Sequence, residues 1–230
     1  MEYRRILAMG DMHGHFSRAL SVFRKVKFDE NRDLLIFLGD YVDRGEENLR
    51  CLRWAMEMSE KPNVIALRGN HEQMMMEYYL MDGEGNSRIW LPNGGNLTKL
   101  EMDVWIKKDP TALERVLKFI ANRPLYHRIL ANNKEFIFVH AGLKPGIALE
   151  NQSDQDLLWI REEFYENYTG SAEVICGHTP IPYMIPDKYD PIRLPNHITM
   201  IDTGSFFPHG RISCVDVLSG TVYQSDADWK

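Results

Sequence analysis

The sequence predicts a layered α/β protein, because strand and helix patterns alternate along its first part. An apolar segment at residues 3–9 ends at a glycine and is typical of a strand, and residues 17–26 then carry apolar side chains at helical spacing. The alternation continues with strands at 34–38 and 63–68 and with helices at 48–59 and 72–81. A second observation supports the same class: glycine followed by an acid or an amide stands at the end of each of these strands. Ligands of open α/β sheets bind at such strand ends.

The later part of the chain predicts further strands and a cap over the sheet. Residues 90–96 have turn chemistry, and residues 111–121 predict a helix. Short apolar runs at 136–139 and 174–176 predict buried strands. Runs at 198–201 and 212–218 predict late antiparallel strands that close a second sheet, and the proline-rich stretch 180–195 predicts a surface loop without regular structure.

The composition predicts one domain over residues 1–230. The chain has 230 residues, is 44% hydrophobic and contains no low-complexity linker. Its formal net charge of −6 offers no basic surface to a nucleic-acid backbone, and its apolar runs are too short to span a membrane. We therefore expect a cytoplasmic protein with neither nucleic acid nor membrane as a partner. The sequence leaves its oligomeric state open, and a monomer is the favoured form. The three cysteines, Cys51, Cys176 and Cys214, are odd in number and widely spaced, which predicts reduced thiols.

Acid, amide and imidazole side chains follow five of the predicted strands. They stand in GDMHG (10–14), GDYVDRG (39–45), GNHE (69–72), HAG (140–142) and GHT (177–179). A mixed set of oxygen and nitrogen ligands suits Mn²⁺, Fe or Zn²⁺. Six ligands are too many for one open catalytic ion, but they fit two ions that share a carboxylate and lie roughly 3.5–4 Å apart. The candidate ligands are Asp11, His13, Asp40, Asn70, His140 and His178.

The second of these motifs contains more charged residues than metal binding requires. Asp40 is the candidate for the carboxylate shared by two ions. Arg44 presents a fork of donors that matches two phosphate oxygens. Asp43 is assigned neither to metal binding nor to phosphate binding, and it is a candidate for orienting a histidine.

These motifs resemble those of the PPP-type metallophosphoesterases, whose pattern is GDxHG, GDxVDRG and GNHE followed by two histidines. The chain matches this pattern at every metal and catalytic position, in the same order and over nearly its whole length. The segment IDTG (201–204) and the compact length are similar to those of the small bacterial serine/threonine protein phosphatases. The resemblance implies a calcineurin-like β-sandwich of two mixed sheets flanked by helices.

The resemblance also implies a role for each site residue. Asp11 and His13 would hold the first metal, Asp40 would bridge, and the second metal would take Asn70, His140 and His178. His71 would be the general acid, held by Asp43. Arg44 and Arg161, with the amide of Asn70 in part, would hold the phosphoryl oxygens. Residues 90–98 are similar to a segment of small bacterial relatives, and we interpret them as a lid or a cleft wall.

The function implied is a dinuclear, metal-dependent protein serine/threonine phosphatase. A hydroxide between the metals would attack phosphoserine or phosphothreonine in a phosphoprotein or phosphopeptide, with phosphotyrosine as a further substrate. Two divalent ions are expected, Mn²⁺ first, with Fe or Zn²⁺ as alternatives. The same motifs also serve diadenosine-tetraphosphate or nucleotide phosphoesterases, and the ligands do not separate the two activities. A catalytically silent binding scaffold is a more remote alternative, because no ligand and no acid histidine is missing from the chain.

Overall fold

The computed structural model describes residues 3–81 and 87–226, which form two five-stranded sheets with helices around them. The strands are β1 (Arg5–Met9), β2 (Asp33–Phe37), β3 (Val64–Ala66), β4 (Tyr126–Ala131), β5 (Lys134–Val139), β6 (Glu173–Cys176), β7 (Ile192–Arg193), β8 (Ile198–Met200), β9 (Ser213–Asp216) and β10 (Thr221–Gln224). The helices are α1 (Phe16–Val26), α2 (Asn48–Met58), α3 (Asn70–Leu80), α4 (Ser87–Trp90), α5 (Asn96–Lys108), α6 (Ala112–Ala121), α7 (Asp154–Trp159), α8 (Glu162–Asn167) and α9 (Ile181–Met184).

Both sheets are mixed, with parallel strands at their centres. The first has the order β10-β9-β1-β2-β3, in which β1, β2 and β3 run parallel and β9 pairs antiparallel with β1. The second has the order β4-β5-β6-β8-β7, in which β5, β6 and β8 run parallel and β4 and β7 are antiparallel edge strands. The predicted α/β fold of two mixed sheets flanked by helices is confirmed.

The two sheets pack face to face around a shared apolar core. In β1, Ile6 and Ala8 belong to the core that also contains Phe138 and Ile175 of the second sheet. The alternate residues of β1, such as Leu7, face the helices of the first sheet. Strands that are buried on both faces read as continuous apolar runs, which is why β1 and β2 are easy to recognise from sequence.

The second sheet and the stretch 180–195 differ from their predictions. The two late strands do not close one sheet together, since β8 pairs parallel with β6 while β9 pairs antiparallel with β1 in the other sheet. A short apolar run predicts that a strand forms, but it does not predict which strand it pairs with, because any open sheet edge of suitable polarity can accept it. The stretch 180–195 is also not irregular throughout, because it holds α9 and the two-residue strand β7.

The middle of the chain is more helical than its turn chemistry predicts. Trp90 ends α4, and Leu91–Gly95 forms a wide helical turn that leads directly into α5. The sequence did not predict α5 because only Thr98 and Met102 are buried along it, so its apolar periodicity is weak. It did not predict the edge strand β4 either, since that strand is only partly buried.

Two further expectations concern membrane-spanning helices and the number of domains. Among the described residues, every helix is too short or too polar to cross a membrane. The single domain over residues 1–230 stays a prediction, and residues 1–2, 82–86 and 227–230 of it lie outside the described residues.

Candidate active site

The six candidate metal ligands meet at one edge of the sandwich, where the parallel strands end. Asp11 and His13 follow β1, Asp40 follows β2, and Asn70 follows β3. His140 and His178 follow β5 and β6 of the other sheet. All six are buried, and none is more than 5% exposed. The site is therefore built from the strand ends of both sheets, as the motif positions predict.

Asp40 lies at the centre of this group. Its Oδ2 is 3.5 Å from His13 Nε2, and its Oδ1 is 3.4 Å from His140 Nε2. Ligand atoms of His13, Asp40 and His71 lie within 4.8 Å of one another. The same holds for Asp40, His140 and His178. One carboxylate thus belongs to two adjacent groups of donors, which is the arrangement that a bridging ligand requires.

The remaining candidate ligands, Asn70 and Asp11, both contact residues of the second group. The amide oxygen of Asn70 is 2.8 Å from His140 Nε2 and 3.1 Å from His178 Nδ1. Asp11 joins the group through its Oδ2, which accepts a hydrogen bond from the backbone N–H of His178 at 3.0 Å. Its other oxygen approaches Gly177 so closely that a Cβ on that glycine would lie 2.1 Å away. Glycine is therefore required before His178, because any side chain would push Asp11 out of the site.

The donors present fit divalent metal ions. Asp11 Oδ1 is buried and has no hydrogen-bond partner among the described residues. His13 Nδ1 donates to the carbonyl of Val42, and His140 Nδ1 donates to that of Leu38, so the Nε2 of each keeps its lone pair for a ligand. Burial lowers the pKa of His13, His140 and His178, which favours the neutral imidazole that binds metal.

The turn that carries Asp40 is held in an unusual backbone conformation. Asp40, Asp43 and Arg44 have φ angles of 52°, 75° and 71°, in the left-handed region that non-glycine residues seldom adopt. The carboxylate of Glu72 compensates by accepting the backbone N–H groups of Asp40 and Tyr41, both at 2.8 Å. It also accepts the N–H of Gly69 at 3.0 Å, so one side chain ties the second and third motifs together.

His71 and Asp43 form a buried pair beside the ligands. His71 Nδ1 lies 2.6 Å from Asp43 Oδ2, and the backbone N–H of His71 donates to Asp40 Oδ1 at 3.0 Å. The same Oδ2 of Asp43 accepts the indole N–H of Trp90 at 2.8 Å, and Oδ1 accepts the hydroxyl of Thr98 at 2.5 Å. Because Nδ1 is committed to Asp43, the Nε2 of His71 is the nitrogen that faces the site. That Nε2 is 3.9 Å from Asp40 Oδ2, so the geometry by itself also allows it to bind a metal.

The two arginines lie on different sides of the group. Arg44 Nη1 is 2.7 Å from His13 Nε2, and Nη2 is 3.1 Å from His71 Nε2. A guanidinium only donates, so His13 Nε2 can accept this bond or bind an ion, but not both at once. The guanidinium also lies 4.1 Å from the ring centre of Phe206. Arg161 is partly buried and donates to the hydroxyl of Thr179 at 2.8 Å, next to His178.

Several residues of the site were not assigned a role from sequence. Glu72 stands in a recognised motif, and its place at the third helical position of α3 marks it as a capping residue. Trp90 and Thr98 are the first and last residues of the predicted lid or cleft wall, and both donate a hydrogen bond to Asp43. Nothing around Phe206 in the sequence distinguishes it from a core aromatic. The three cysteines are buried and unpaired, as predicted.

The fold and this arrangement of acids, amide and histidines define a metallophosphoesterase. The family described as calcineurin-like phosphoesterase matches residues 4–204, and the chain belongs to that family. It is 31% identical over 209 residues to serine/threonine-protein phosphatase 2 of Salmonella typhimurium, covering 89% of each chain. It is 30% identical over 187 residues to serine/threonine-protein phosphatase 1 of the same organism, covering 78% of this chain and 80% of that protein.

Other relatives carry a different activity in their names. The chain is 26% identical over 225 residues to an asymmetrical bis(5'-nucleosyl)-tetraphosphatase of Bacillus cereus, covering 86% of this chain and 85% of that protein. Among solved structures, a protein assigned as a diadenosine tetraphosphatase superposes with a TM-score of 0.70 at 19% identity, covering 96% and 92% of the two chains. This second likeness shows a shared fold.

Proposed function

We propose that this protein is a metal-dependent phosphomonoesterase that removes phosphate from phosphoserine and phosphothreonine in proteins, and also from phosphotyrosine. The observation that carries the proposal is the position of Asp40 in two adjacent donor groups, with His71 beside it and held by Asp43. The proteins named serine/threonine-protein phosphatase, at 30% and 31% identity, support the choice of substrate.

The proposed centre takes two divalent ions, Mn²⁺ first and Fe or Zn²⁺ as alternatives. Two ions bound here would lower the pKa of water and neutralise the charge of the phosphoryl group. One would be held by Asp11 and His13 and the other by Asn70, His140 and His178, with Asp40 shared. These roles agree with the burial of all six side chains and with the neutral state that burial favours for the histidines.

The remaining residues would bind the phosphoryl group and move one proton. Arg44 lies next to His13 and would bind two phosphoryl oxygens through its guanidinium group. Arg161, which contacts Thr179 next to His178, would bind the phosphoryl group from the opposite side. His71 would protonate the leaving alkoxide through Nε2, the nitrogen that faces the site, once the guanidinium of Arg44 donates to the phosphoryl oxygens instead of to this nitrogen. Asp43 accepts a hydrogen bond from Nδ1 at 2.6 Å, which fixes the orientation of the ring.

A second candidate activity is hydrolysis of dinucleoside polyphosphates. The relatives named as bis(5'-nucleosyl)-tetraphosphatases favour it, at 22% to 26% identity. The higher identity to the protein phosphatases leads us to prefer the phosphoprotein substrate. The proposed location is the cytoplasm, where cysteines stay reduced, and the three buried cysteines are unpaired. The proposed form is a monomer.

The test is hydrolysis by chelator-stripped protein with and without added Mn²⁺. Three substrates are compared: p-nitrophenyl phosphate, a phosphoserine peptide and diadenosine tetraphosphate. We expect metal-restored release of phosphate from the peptide and from the aryl phosphate, and none from the variant Asp40→Asn. Activity on the dinucleotide alone would replace our proposal with the second candidate, and inactivity on all three would refute both.

A further inference from the structure

Asp202 is an acidic residue at the candidate active site that none of the predicted roles uses. It follows β8, which runs parallel to β6, the strand that ends before His178. Every other parallel strand that reaches this edge delivers a candidate metal ligand. Asp202 is 1% exposed, so its carboxyl group is buried, as those ligands are.

The Asp202 carboxyl group is fixed in place at one oxygen and free at the other. Its Oδ1 accepts the backbone N–H of Gly204 at 2.9 Å, and its backbone carbonyl accepts the N–H of Ile181 at 2.9 Å. Its Oδ2 is buried and has no hydrogen-bond partner among the described residues. A buried carboxylate oxygen without a partner is costly, so such an oxygen in a folded protein calls for a donor or a cation.

Asp202 lies on the side of the site that contains Asp11. The chain before Asp202 touches the chain before Asp11, since a Cβ on Gly10 would lie 2.7 Å from the carbonyl oxygen of Ile201. After burial, the charge of Asp202 is the largest influence that raises the pKa of Asp11. Asp11 Oδ1 is also buried and without a partner in the described part of the chain. Two neighbouring carboxylates that repel each other, each with one unsatisfied oxygen, are the arrangement that a divalent cation relieves.

The positive groups nearby do not already satisfy Asp202. Arg44 and Arg161 act on it electrostatically, but their side chains form hydrogen bonds with His13, His71, Thr179 and the carbonyl of His178. A proton shared by Asp11 and Asp202 is the competing explanation. The two explanations predict different effects, because loss of Asp202 weakens ion binding if its carboxylate faces the ion and does not weaken it if the carboxylate only shares a proton with Asp11.

We infer that Asp202 is a further acidic residue of the metal centre, with its free Oδ2 directed toward the ion that Asp11 and His13 would hold. This inference rests on the two-ion centre of the proposed function. The ion held by Asp11 and His13 would then have two carboxylates of its own, those of Asp11 and Asp202, in addition to the shared carboxylate of Asp40. Asp202 raises the affinity of that site for its ion, and the site of Asn70, His140 and His178 is unaffected by it.

The test is calorimetric titration of chelator-stripped protein with Mn²⁺ at neutral pH. Asp202→Asn retains an oxygen for the N–H of Gly204 and removes the charge, and Asp202→Ser is a second variant without a carboxylate. We expect one of the two Mn²⁺ ions to bind about 10–100-fold more weakly in both variants, the loss typical of groups that support metal ligands. The control is Asp216→Asn, which changes a buried aspartate that accepts backbone N–H groups outside the site and should bind both ions normally.

Thermal melting separates a metal role from a structural one. Without metal, Asp202→Asn should melt at or above the temperature of the wild type, because an unsatisfied charge is gone, and its Mn²⁺-induced rise should be smaller. Wild-type affinity for both ions in the two variants would overturn the inference while leaving the proposed function in place. Failure of the wild-type protein to bind two ions would instead overturn the two-ion centre of the proposed function, and this inference with it.

Discussion

Trp90 donates its indole N–H to Asp43 Oδ2 at 2.8 Å, on the same oxygen that His71 Nδ1 contacts at 2.6 Å. The two residues are 47 positions apart in the chain. Trp90 is fully buried, so this bond is shielded from water. The segment that sequence suggested as a lid therefore fixes the carboxylate that orients the proposed general acid.

Replacing Trp90 with phenylalanine should weaken catalysis without abolishing it. The variant Trp90→Phe keeps an aromatic ring in the core but removes a hydrogen bond to a charged group, for which we expect about a tenfold loss of kcat on alkyl phosphates. The loss should be smaller on p-nitrophenyl phosphate, whose leaving group needs no proton. Trp105→Phe, in the outer helix α5, is the control and should leave both rates unchanged. An equal loss on both substrates would indicate a general packing defect.

Replacing His71 with asparagine tests the proton-donor role directly. We expect His71→Asn to lower kcat on alkyl phosphates by about 10²–10⁴, the usual contribution of a general acid, and much less on aryl phosphates. Mn²⁺ stoichiometry should stay at the wild-type value, because the proposed ligands are unchanged. Loss of one Mn²⁺ ion would show that His71 is a ligand, as its 3.9 Å separation from Asp40 Oδ2 allows.

Phe206 should affect substrate binding more than chemistry. Its ring centre lies 4.1 Å from the guanidinium carbon of Arg44, and such a contact contributes about 0.5–2 kcal/mol. We expect Phe206→Ala to raise KM for phosphopeptide about threefold to tenfold with a smaller change in kcat. Phe206→Tyr retains the ring and should keep the wild-type KM. An unchanged KM in the alanine variant would exclude a role for this ring in holding Arg44.

Asp33 should make stability depend on pH in the acid range. Its carboxylate accepts Arg4 Nε at 3.0 Å and Arg5 Nε at 3.2 Å, and it is fully buried. Burial raises the pKa of Asp33, but the hydrogen bonds of Arg5 and Arg4 outweigh burial and lower it to about 2. Because the folded-state pKa is below the unfolded value of about 3.9, the stabilisation is complete above pH 4 and is lost as the pH falls toward 2.

Urea denaturation of the wild type and Asp33→Asn measures this effect. The variant should be less stable by about 2 kcal/mol at pH 6, and the difference should shrink as the pH approaches 2. A difference that does not change with pH would mean that packing, and not the charge of Asp33, accounts for the loss.

The local features of the site could be predicted because each one lies next to a strand of the central sheets. Apart from the charged first residue of each, the strands β1 and β2 are apolar, since both of their faces are buried, and their ends are marked by glycine and an acid. Parallel strands bring their ends to one edge, so Asp11, Asp40 and Asn70 had to converge. The residues of the second sheet, such as His178, were recognised through the same rule and the family resemblance.

The sequence by itself therefore determined the strand ends, the donors that follow them and the identity of the family. Only the tertiary structure decided which sheet β8 and β9 join, and that Trp90, Thr98 and Phe206 lie at the site. The physical reason is the range of the interactions. A strand and its following turn are specified within a few neighbouring residues, whereas the choice of partner strand and the contact between Trp90 and Asp43 depend on which surfaces remain open when distant segments pack together.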